Sequence, residues 1–464
     1  HLLRLIDRHI DFGFIRAATA HLYSADNGRP AIEPERLFKI LFVGYLFGIR
    51  SERRLVQEVH VNVAYRWFLG LGLTEKVMDA STLSQNRRRR FAGTQIEQTI
   101  FDQIVQQAMD AGLIGGRVLY TDSTHLKASA NKNKFEVHQV EIKPAQYLAE
   151  LEAVTEDRAQ HGKKPLPADG KSLGTKELKV SRTDADAGYM TRDHKPQGFF
   201  YLDHRTVDGV HSFIVDTHVT PGNVHDSQPY IGRLDRVRER FNLPVAAVGL
   251  DAGYFTSSVC EQLVQRDIYA VMGYRGPTAH VPGQFYKREF LYDVQADSYR
   301  CPQGEVIVYK TTNRQGYREY HSRASECANC PLKHRCTQSK NNVKVIVRHV
   351  WEDSKELINA NRLTDIGKRI YKRRKETVER SFADAKELHG HRYARFRGLA
   401  KVRAQSLLAA ACQNMKKMAR LLQAALRLFF SWIKSSESTT TRQSAVNSLF
   451  ELFSIKINHT PRIA

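Results

Sequence analysis

The sequence predicts an α/β protein, with an all-helical N-terminal domain followed by a mixed sheet and a small cysteine-rich insertion. Three observations favour this fold class. Apolar residues recur at helical spacing within residues 1–110. From residue 116, short runs rich in β-branched and aromatic residues are separated by turn residues, which is typical of strands. Four of the six cysteines fall close together, between Cys301 and Cys336.

The composition favours a folded protein with a polyanionic partner. Hydrophobic residues make up 42% of the 464, which is enough for a core and excludes a disordered chain. Lys and Arg number 71 against 49 Asp and Glu, giving a net charge of +22. A positive potential of this size favours nucleic acid as the partner over a charge that only maintains solubility. No apolar run is long enough to cross a bilayer, so no membrane partner is expected.

The N-terminal domain, residues 1–110, is predicted to bind DNA. Pro34 is suited to the first turn of one helix, and Ser51 is a predicted cap of the next. An arginine run follows, and arginine pairs well with phosphate. The alternative is a solvated helix face without a ligand. The predicted DNA-binding residues of this run are Arg87, Arg88, Arg89 and Arg90.

The central segment, residues 111–280, is predicted to form the first part of the α/β domain. The second and third strands read as a hairpin, and the complete order is three antiparallel strands, then helix, strand, helix and strand. A polar excursion at 136–180 is expected to be a long loop. The predicted strands are 117–123, 199–203, 212–219, 244–251 and 267–273, with a helix at 257–265.

The C-terminal third is divided into an irregular cysteine-rich insertion, residues 281–345, a helical part, residues 346–434, and a tail, residues 435–464. In the insertion, Cys327 and Cys330 form a C-x2-C pair followed by Cys336, with Cys301 upstream. Four thiolates of this kind are typical of a structural Zn²⁺ site. The alternative is four free thiols in a reducing cytosol. His321 or His334 could replace one cysteine ligand.

Candidate catalytic acids lie at the ends of two predicted strands and on one basic helix. Asp122 and Asp251 each end a strand, and acids at strand ends of an α/β layer lie where such folds bind ligands. On a regular α-helix, Glu379 lies beside the apolar face set by Val378 and Phe382, whereas Glu376 lies about 60° further round. Three converging carboxylates repel one another unless cations neutralise them. Two Mg²⁺ or Mn²⁺ ions do so, and such pairs also promote phosphoryl displacement. For any one acid, a turn or cap role is the alternative.

These residues resemble bacterial insertion-sequence transposases of the DDE class, which have an RNase H-like catalytic domain. The resemblance covers most of the chain. Residues 29–90 are similar to the helical domain that precedes the catalytic core. The other similar blocks are Tyr120–Lys132, Thr220–Asp226, Leu250–Tyr254, Lys375–Phe382 with Lys386, and Arg395–Leu399.

The resemblance implies a metal-binding catalytic triad of Asp122, Asp251 and Glu379. It also implies that Lys386, seven residues after Glu379, contacts DNA near the cleaved phosphate. Related transposases commonly have Tyr and Arg seven and four residues before the Glu. Here Tyr371 lies eight residues before it and position 375 is Lys, so the role of the Tyr stays open. Lys375 is the candidate substitute for the Arg, and Arg374 and Arg380 are further candidates for backbone contacts.

The implied function is DNA transposition, in which the protein binds the ends of its insertion sequence, cuts the strands and joins them to target DNA. The expected partners are double-stranded DNA at inverted-repeat ends and at the target, and a second copy of the chain on that DNA. The expected cofactors are Mg²⁺ or Mn²⁺, with structural Zn²⁺ at the cysteines. The expected location is the bacterial cytoplasm, associated with the nucleoid when DNA is bound. Two alternatives remain: a metal-dependent nuclease of the same fold, and an inactive transposase-derived DNA-binding protein.

Overall fold

The computed structural model describes residues 1–24, 31–141, 147–166, 175–191, 197–274 and 283–435. It has a helical N-terminal region, a mixed sheet and a second, smaller sheet, and the clustered cysteines lie outside the strands of the second sheet. The predicted α/β fold class, a mixed sheet preceded by a helical N-terminal region, is confirmed. Among the described helices, none has both the length and the apolar character that a bilayer span requires.

Short helices build the N-terminal region around a shared apolar core. The caps follow from sequence: the Ser51 side chain accepts from the backbone N–H of Arg54 at 3.4 Å, and Pro34 occupies the first turn of its helix. The helices are α1 (Leu2–His9), α2 (Phe14–Thr19), α3 (Pro34–Leu46), α4 (Glu52–Val61), α5 (Val63–Phe68), α6 (Ala80–Gln85) and α7 (Ile96–Asp110), with a 3₁₀ turn at Ala20–Leu22 and a π-helical turn at Asn86–Arg90.

The main sheet has the predicted order of strands. The strand at Val118–Lys127 (β1) pairs antiparallel with the strand at Gly198–Asp208 (β5), which pairs antiparallel with the strand at Ile214–Pro221 (β6). β1 also pairs in parallel with the strand at Ala247–Leu250 (β7), which pairs in parallel with the strand at Tyr269–Met272 (β8). Two helices lie between its later strands. The elements are β1 (Val118–Lys127), β2 (Phe135–Glu141), α8 (Tyr147–Gln160), β3 (Thr175–Ser181), β4 (Gly188–Met190), β5 (Gly198–Asp208), β6 (Ile214–Pro221), α9 (Tyr230–Phe241), β7 (Ala247–Leu250), α10 (Ser257–Gln265) and β8 (Tyr269–Met272), with a 3₁₀ turn at Ala252–Tyr254.

The polar excursion differs from the expected loop. Its described residues form β2 and β3, which extend the main sheet, and α8, which packs against the second sheet. The packing is polar: Arg318 donates to Asp157 Oδ1 at 2.6 Å, and Arg158 donates to the carbonyl of Thr312 at 2.7 Å. Because buried hydrogen bonds rather than an apolar stripe hold α8, the hydrophobic pattern did not predict it. Residues 142–146 and 167–174 of the excursion lie outside the described part.

The cysteine-rich insertion is also more regular than expected, since it contains an antiparallel sheet of five strands, each of which pairs with the next one along the chain. Its small core is largely aromatic, including Phe290, Tyr299 and Tyr320. Strands this short, with tyrosines as core residues, lack a clear apolar alternation. The elements are a 3₁₀ turn at Lys287–Glu289, β9 (Leu291–Asp293), β10 (Ser298–Arg300), β11 (Val306–Thr312), β12 (Tyr317–His321), α11 (Ala324–Ala328), α12 (Lys333–Cys336) and β13 (Val345–His349).

The C-terminal helices join the main sheet to the N-terminal region. The last of them packs against α1, α3, α7 and β6, and the side-chain amide of Asn414 bonds both backbone groups of Ile214 at 2.9 and 2.7 Å. Residues of the predicted tail beyond 435 lie outside the described part. The elements are α13 (Glu352–Asn361), α14 (Asp365–Arg373), a π-helical turn at Lys375–Glu379, α15 (Arg380–Leu388) and α16 (Leu399–Ser435).

Candidate active site

Two of the three predicted acids lie on neighbouring parallel strands of the main sheet. Asp251 directly follows β7, as predicted, whereas Asp122 lies in the middle of β1, because pairing with β5 continues the strand as far as Lys127. Thr121 pairs with Leu250 in the parallel register, so the two acids are the next residues on adjacent strands. The strand pairing therefore places these two carboxylates side by side.

One guanidinium brings all three predicted acids together. Arg374 Nη2 lies 2.7 Å from Asp122 Oδ2 and 3.8 Å from Glu379 Oε1, and Arg374 Nη1 lies 3.8 Å from Asp251 Oδ1. Arg374 is only 5% exposed, whereas the side chains of Asp251 and Glu379 are 43% and 45% exposed. The carboxylates thus line a pocket that is closed by Arg374 on the protein side and open on the other.

The π-helical turn at Lys375–Glu379 explains how Arg374 and Glu379 meet. The backbone N–H of Glu379 bonds the carbonyl of Arg374, five residues earlier, at 3.3 Å. On a regular α-helix, residues five apart point about 140° away from each other. The wider turn reduces that angle, and such turns are frequent at functional sites. The regular helix assumed from the sequence was wrong for this turn, which takes up one additional residue.

The same turn changes which basic residue takes the expected arginine position. Lys375, the candidate substitute, is exposed to solvent, and Arg374 lies against the acids instead. Tyr371 also approaches the site, because a Cβ on Gly273 would lie 2.7 Å from the Tyr371 hydroxyl and 2.9 Å from the backbone nitrogen of Ala252. Gly273 therefore permits Tyr371 to pack beside the residue that follows Asp251.

Burial has the largest effect on the electrostatics at Asp122, followed by the charge of Arg374. Burial raises the pKa of Asp122 to about 6, although Arg374 and the backbone N–H of Ser123 oppose the rise. Asp251 and Asp226 raise it further. Asp226 is a fourth acid that was not predicted as a site residue, and it accepts a hydrogen bond from Ser123 Oγ at 2.7 Å. Its position in the turn after β6, at the same end of the sheet, was the available signal.

The donor set suits hard divalent cations, since it consists of carboxylate oxygens. Arg374 supplies the counter-charge in this arrangement of the side chains. Within the described part of the chain, no three Asp, Glu, His or Cys side chains converge closely enough to hold one ion. Binding a metal ion therefore requires the carboxylates to reorient relative to Arg374.

Two predicted basic residues of the Glu379 segment differ in their surroundings. Burial lowers the pKa of Lys386, with Arg392 and Arg205 lowering it further, while Asp203 and Asp122 raise it. Lys386 is therefore partly buried and close enough to the acids to feel their charge. Arg380 instead lies on the surface and pairs with Asp384 at 3.1 Å.

The four arginines of the N-terminal run do not share one face. Arg87 pairs with Glu52 and stacks 4.0 Å over the ring of Phe396. Arg90 stacks 4.0 Å over Tyr23. Arg88 and Arg89 are exposed. The run is therefore divided between two residues that stack on aromatic rings of the protein and two that face solvent, although Arg88 also donates to the carbonyl of Ser84 at 3.3 Å.

The four clustered cysteines line a single cavity in the second sheet region. Burial raises the pKa of Cys336, and the other three thiols raise it further, which reflects their proximity. Cys327 Sγ lies 3.2 Å from Ser322 Oγ. The remaining two cysteines, Cys260 and Cys412, are fully buried among apolar side chains. The cluster thus has the donors of a zinc site, although the thiols are not within the ligating distances of one ion.

Two family models match the chain. A transposase domain (DUF772) matches residues 1–89, and a transposase DDE domain matches residues 300–419. Both matched models are of transposase domains, and the second is of a DDE domain. The first match includes the helical region as far as Arg89, and the second includes the clustered cysteines and Glu379. Comparison with curated proteins gives no match.

Solved transposase structures show a weak similarity to this chain. A piggyBac transposase synaptic complex with hairpin DNA has 11% identity, a TM-score of 0.34, and coverage of 100% of this chain and 86% of that one. A Mos1 paired-end complex with the left transposon end has 9% identity, a TM-score of 0.16, and coverage of 53% and 62%. A Mos1 mariner paired-end complex with Mn has 10% identity, a TM-score of 0.17, and coverage of 55% and 64%. With TM-scores this low, the family assignment rests on the two domain models.

Proposed function

We propose that this transposase binds the double-stranded ends of its insertion sequence and cuts and rejoins DNA strands, using divalent metal ions held by Asp122, Asp251 and Glu379. The observation that carries the proposal is that these three acids, distant in sequence, all lie within 3.8 Å of the Arg374 guanidinium. A turn or cap role for each acid separately would not bring them to one pocket. The pocket combines dense negative charge with access from solvent, which a site for cations and phosphates requires.

Bound Mg²⁺ or Mn²⁺ would supply activation of the attacking oxygen and stabilisation of the departing oxygen at the phosphate. Asp122, Asp251 and Glu379 hold the cations and so fix the position of the phosphate relative to the protein. Arg374 offsets the mutual repulsion of the carboxylates before the cations bind. The basic character of Arg374 suggested a contact to the DNA backbone. Because Arg374 is buried, we assign it instead the role of a structural counter-charge.

DNA is proposed to approach over the exposed basic side chains around the pocket. Lys386 is partly buried and close enough to Asp122 to be affected by its charge, and it is the candidate contact to the reactive phosphate. Lys375 and Arg380 flank the pocket from the surface, and Arg88 and Arg89 extend the contact into the N-terminal domain. The net charge of +22 is consistent with an extended phosphate track. Since two element ends must be joined, a homodimer on DNA is expected.

The test is incubation of the protein with a donor fragment that carries its inverted repeats, a target plasmid and Mg²⁺. Joined products support transposition, nicks without joining support a nuclease of the same fold, and a gel shift without cleavage supports an inactive DNA-binding derivative. Asp122→Asn, Asp251→Asn and Glu379→Gln should each abolish cleavage and leave end binding unchanged. Glu376→Gln is the matched control, because Glu376 is exposed on the same π-helical turn. Cleavage by any one of the three variants removes that residue from the proposed triad.

A structural Zn²⁺ ion is proposed for the cavity lined by Cys301, Cys327, Cys330 and Cys336. The observation that favours it is that four thiols from separate segments meet beside a small core. Elemental analysis of the purified protein should give about one zinc per chain. Cys330→Ser should lower that content, and Cys260→Ala, which changes a buried cysteine elsewhere, should not. A zinc-free protein with unchanged thermal stability would leave four free thiols.

A further inference from the structure

A fully buried ion pair lies next to the acidic pocket. Arg205 and Asp203 are both in β5, and both are 0% exposed. Arg205 Nη2 and Nε each lie 2.9 Å from Asp203 Oδ2. Burial alone would raise the pKa of Asp203, but the charge of Arg205 and the hydrogen bond from His391 outweigh it and hold the pKa below its ordinary value. The pair is therefore charged within the core.

Arg205 connects the two elements that carry Asp122 and Glu379. It is the direct partner of Asp122 in the antiparallel β1–β5 register, so the two side chains leave the sheet on the same face. On the other side, Arg205 Nη1 lies 3.3 Å from the carbonyl oxygen of Ser381, two residues after Glu379. The guanidinium also stacks 5.1 Å over Phe382. The side chain of Arg205 thus extends from β5, at the position paired with Asp122, to the helix that follows Glu379.

Further buried groups hold Arg205 in this orientation. Thr217 Oγ1 donates to Asp203 Oδ1 at 2.7 Å, and His391 Nε2 lies 3.0 Å from Asp203 Oδ2. Gln413 of α16, in the amide orientation that satisfies both of its polar atoms, accepts from Arg205 Nη1 and donates to the Ser381 carbonyl, each at 3.1 Å. The network therefore fixes the guanidinium from the sheet, from α16 and from the segment between α15 and α16.

Stability alone does not account for a charged pair at this place. Desolvating two ions costs several kcal/mol, and apolar replacement of a buried pair is often neutral or stabilising. A fork of five N–H donors, however, fixes distances between several acceptors at once, which an apolar side chain cannot do. We propose that Arg205, held by Asp203, is a positioning residue that sets the distance and orientation of Glu379 relative to Asp122. This inference rests on the proposed metal-binding triad.

The molecule contains a matched pair for comparison. Arg233 of α9 is 1% exposed, and its Nη2 lies 2.6 Å from Asp216 Oδ2 of β6. It also donates to Thr206 Oγ1 at 3.3 Å. This pair joins a helix to the same sheet, and its arginine is buried to nearly the same degree, but its hydrogen bonds and ion pairs within the described residues do not reach the helix that follows Glu379. If the two arginines serve only packing, substituting either should have the same effect on the protein. If Arg205 positions Glu379, only substitution of Arg205 should alter the metal site.

The test uses Arg205→Lys and Arg233→Lys in the full-length protein. Lysine keeps the positive charge for its aspartate, so both variants should fold, but a single ammonium cannot span to the Ser381 carbonyl as the fork does. Three quantities are measured: the Mn²⁺ affinity by calorimetry without DNA, the affinity for an element end, and the melting temperature. We expect Arg205→Lys to weaken Mn²⁺ binding about tenfold, in the range of outer-shell substitutions at metal sites. Its DNA affinity should change less than about twofold.

The outcomes separate the inference from the function on which it rests. A loss of Mn²⁺ affinity of about tenfold in Arg205→Lys, with unchanged affinity in Arg233→Lys and a similar fall in melting temperature in both variants, supports positioning by Arg205. Equal Mn²⁺ affinity in wild type and Arg205→Lys overturns it, provided that Asp122→Asn still abolishes Mn²⁺ binding. If Asp122→Asn also binds Mn²⁺ normally, the proposed triad itself is wrong. If Arg205→Lys does not fold while Arg233→Lys does, the pair serves the fold and the inference is also overturned.

Discussion

The chain has two described π-helical turns in arginine-rich segments, and they use their arginines differently. In both turns a backbone N–H bonds the carbonyl five residues earlier, from Phe91 to Asn86 at 3.0 Å and from Glu379 to Arg374 at 3.3 Å. In the N-terminal turn, Arg87 and Arg90 stack on aromatic rings of the protein. In the C-terminal turn, the guanidinium faces three carboxylates instead.

The difference shows that a run of arginines does not by itself indicate a surface for nucleic acid. Which arginine turns inward depends on partners supplied by distant segments: Phe396 for Arg87, and Asp122 for Arg374. Arg88 and Arg89 instead face solvent. Exposure to solvent therefore separates Arg88 and Arg89, the candidate DNA contacts, from Arg87 and Arg90, whereas the sequence alone does not distinguish the four.

The largest effect is expected at the C-terminal turn. Arg374→Gln removes the counter-charge from three clustered carboxylates, so the triad should lose its arrangement and the cleavage rate should fall about 100-fold or more at saturating DNA. Arg90→Gln, in the other turn, should leave the rate unchanged. Single-turnover cleavage measures both. A rate for Arg374→Gln close to that of wild type would show that the two turns are equivalent.

A second difference is expected within the N-terminal turn. Changing Arg88 and Arg89 together to Ala should lower DNA affinity about tenfold and reduce the slope of log affinity against log salt by about two, because two phosphate contacts are lost. Changing Arg87 and Arg90 together should instead lower the melting temperature, since their partners are in the protein. Titrations over a range of salt concentrations measure the slopes. Equal slopes for the two double variants would contradict this division.

Acid should weaken the contact between the two regions that contain the turns. His389 ends the Glu379 segment, and its Nδ1 bonds the Tyr45 carbonyl of the N-terminal domain at 2.9 Å. Burial lowers the pKa of His389 to about 4, and the bond to Tyr45 only partly opposes this. The unfolded chain therefore takes up a proton first, near pH 6.5, so stability falls as the pH drops from about 6.5 to about 4.

Chemical denaturation at several pH values measures this loss. In His389→Gln, which keeps a donor for Tyr45 but does not titrate, the fall in stability over this pH window should be smaller than in wild type. An identical pH profile in the two proteins would exclude His389 as a source of the acid sensitivity.

The smallest effect is expected from removing the additional residue of the C-terminal turn. Deletion of Lys375 leaves Arg374 four residues before the Glu, and residues four apart on an α-helix are within about 40° of each other. Cleavage should therefore stay within about tenfold of wild type. Deletion of Ala383 in the regular α15 rotates Lys386 by about 100° relative to Glu379 and should be far more damaging. Loss of cleavage in a folded Lys375 deletion would show that the π-helical turn is itself required.

The sequence predicted those parts of the fold that rest on local patterns. The strands that carry or precede Asp122 and Asp251 were predicted because their β-type runs are continuous in sequence, but the prediction that Asp122 ends its strand was wrong, since β1 continues to Lys127. The second sheet and α8 were not predicted, since tyrosines and buried polar pairs such as Asp157 with Arg318 form their contacts. The inward position of Arg374 depends on a π-helical turn, which arises from packing rather than from residue preference. Asp226 was overlooked because it follows a turn and not a strand end.

The most direct test of the central claim is a crystal structure of the protein grown with Mn²⁺, with the metal located by its anomalous scattering. The account predicts an anomalous peak between the carboxylates of Asp122, Asp251 and Glu379, with Arg374 Nη2 displaced from its position 2.7 Å from Asp122 Oδ2. At saturating Mn²⁺, a pocket without a peak and with the Arg374–Asp122 contact intact would contradict it.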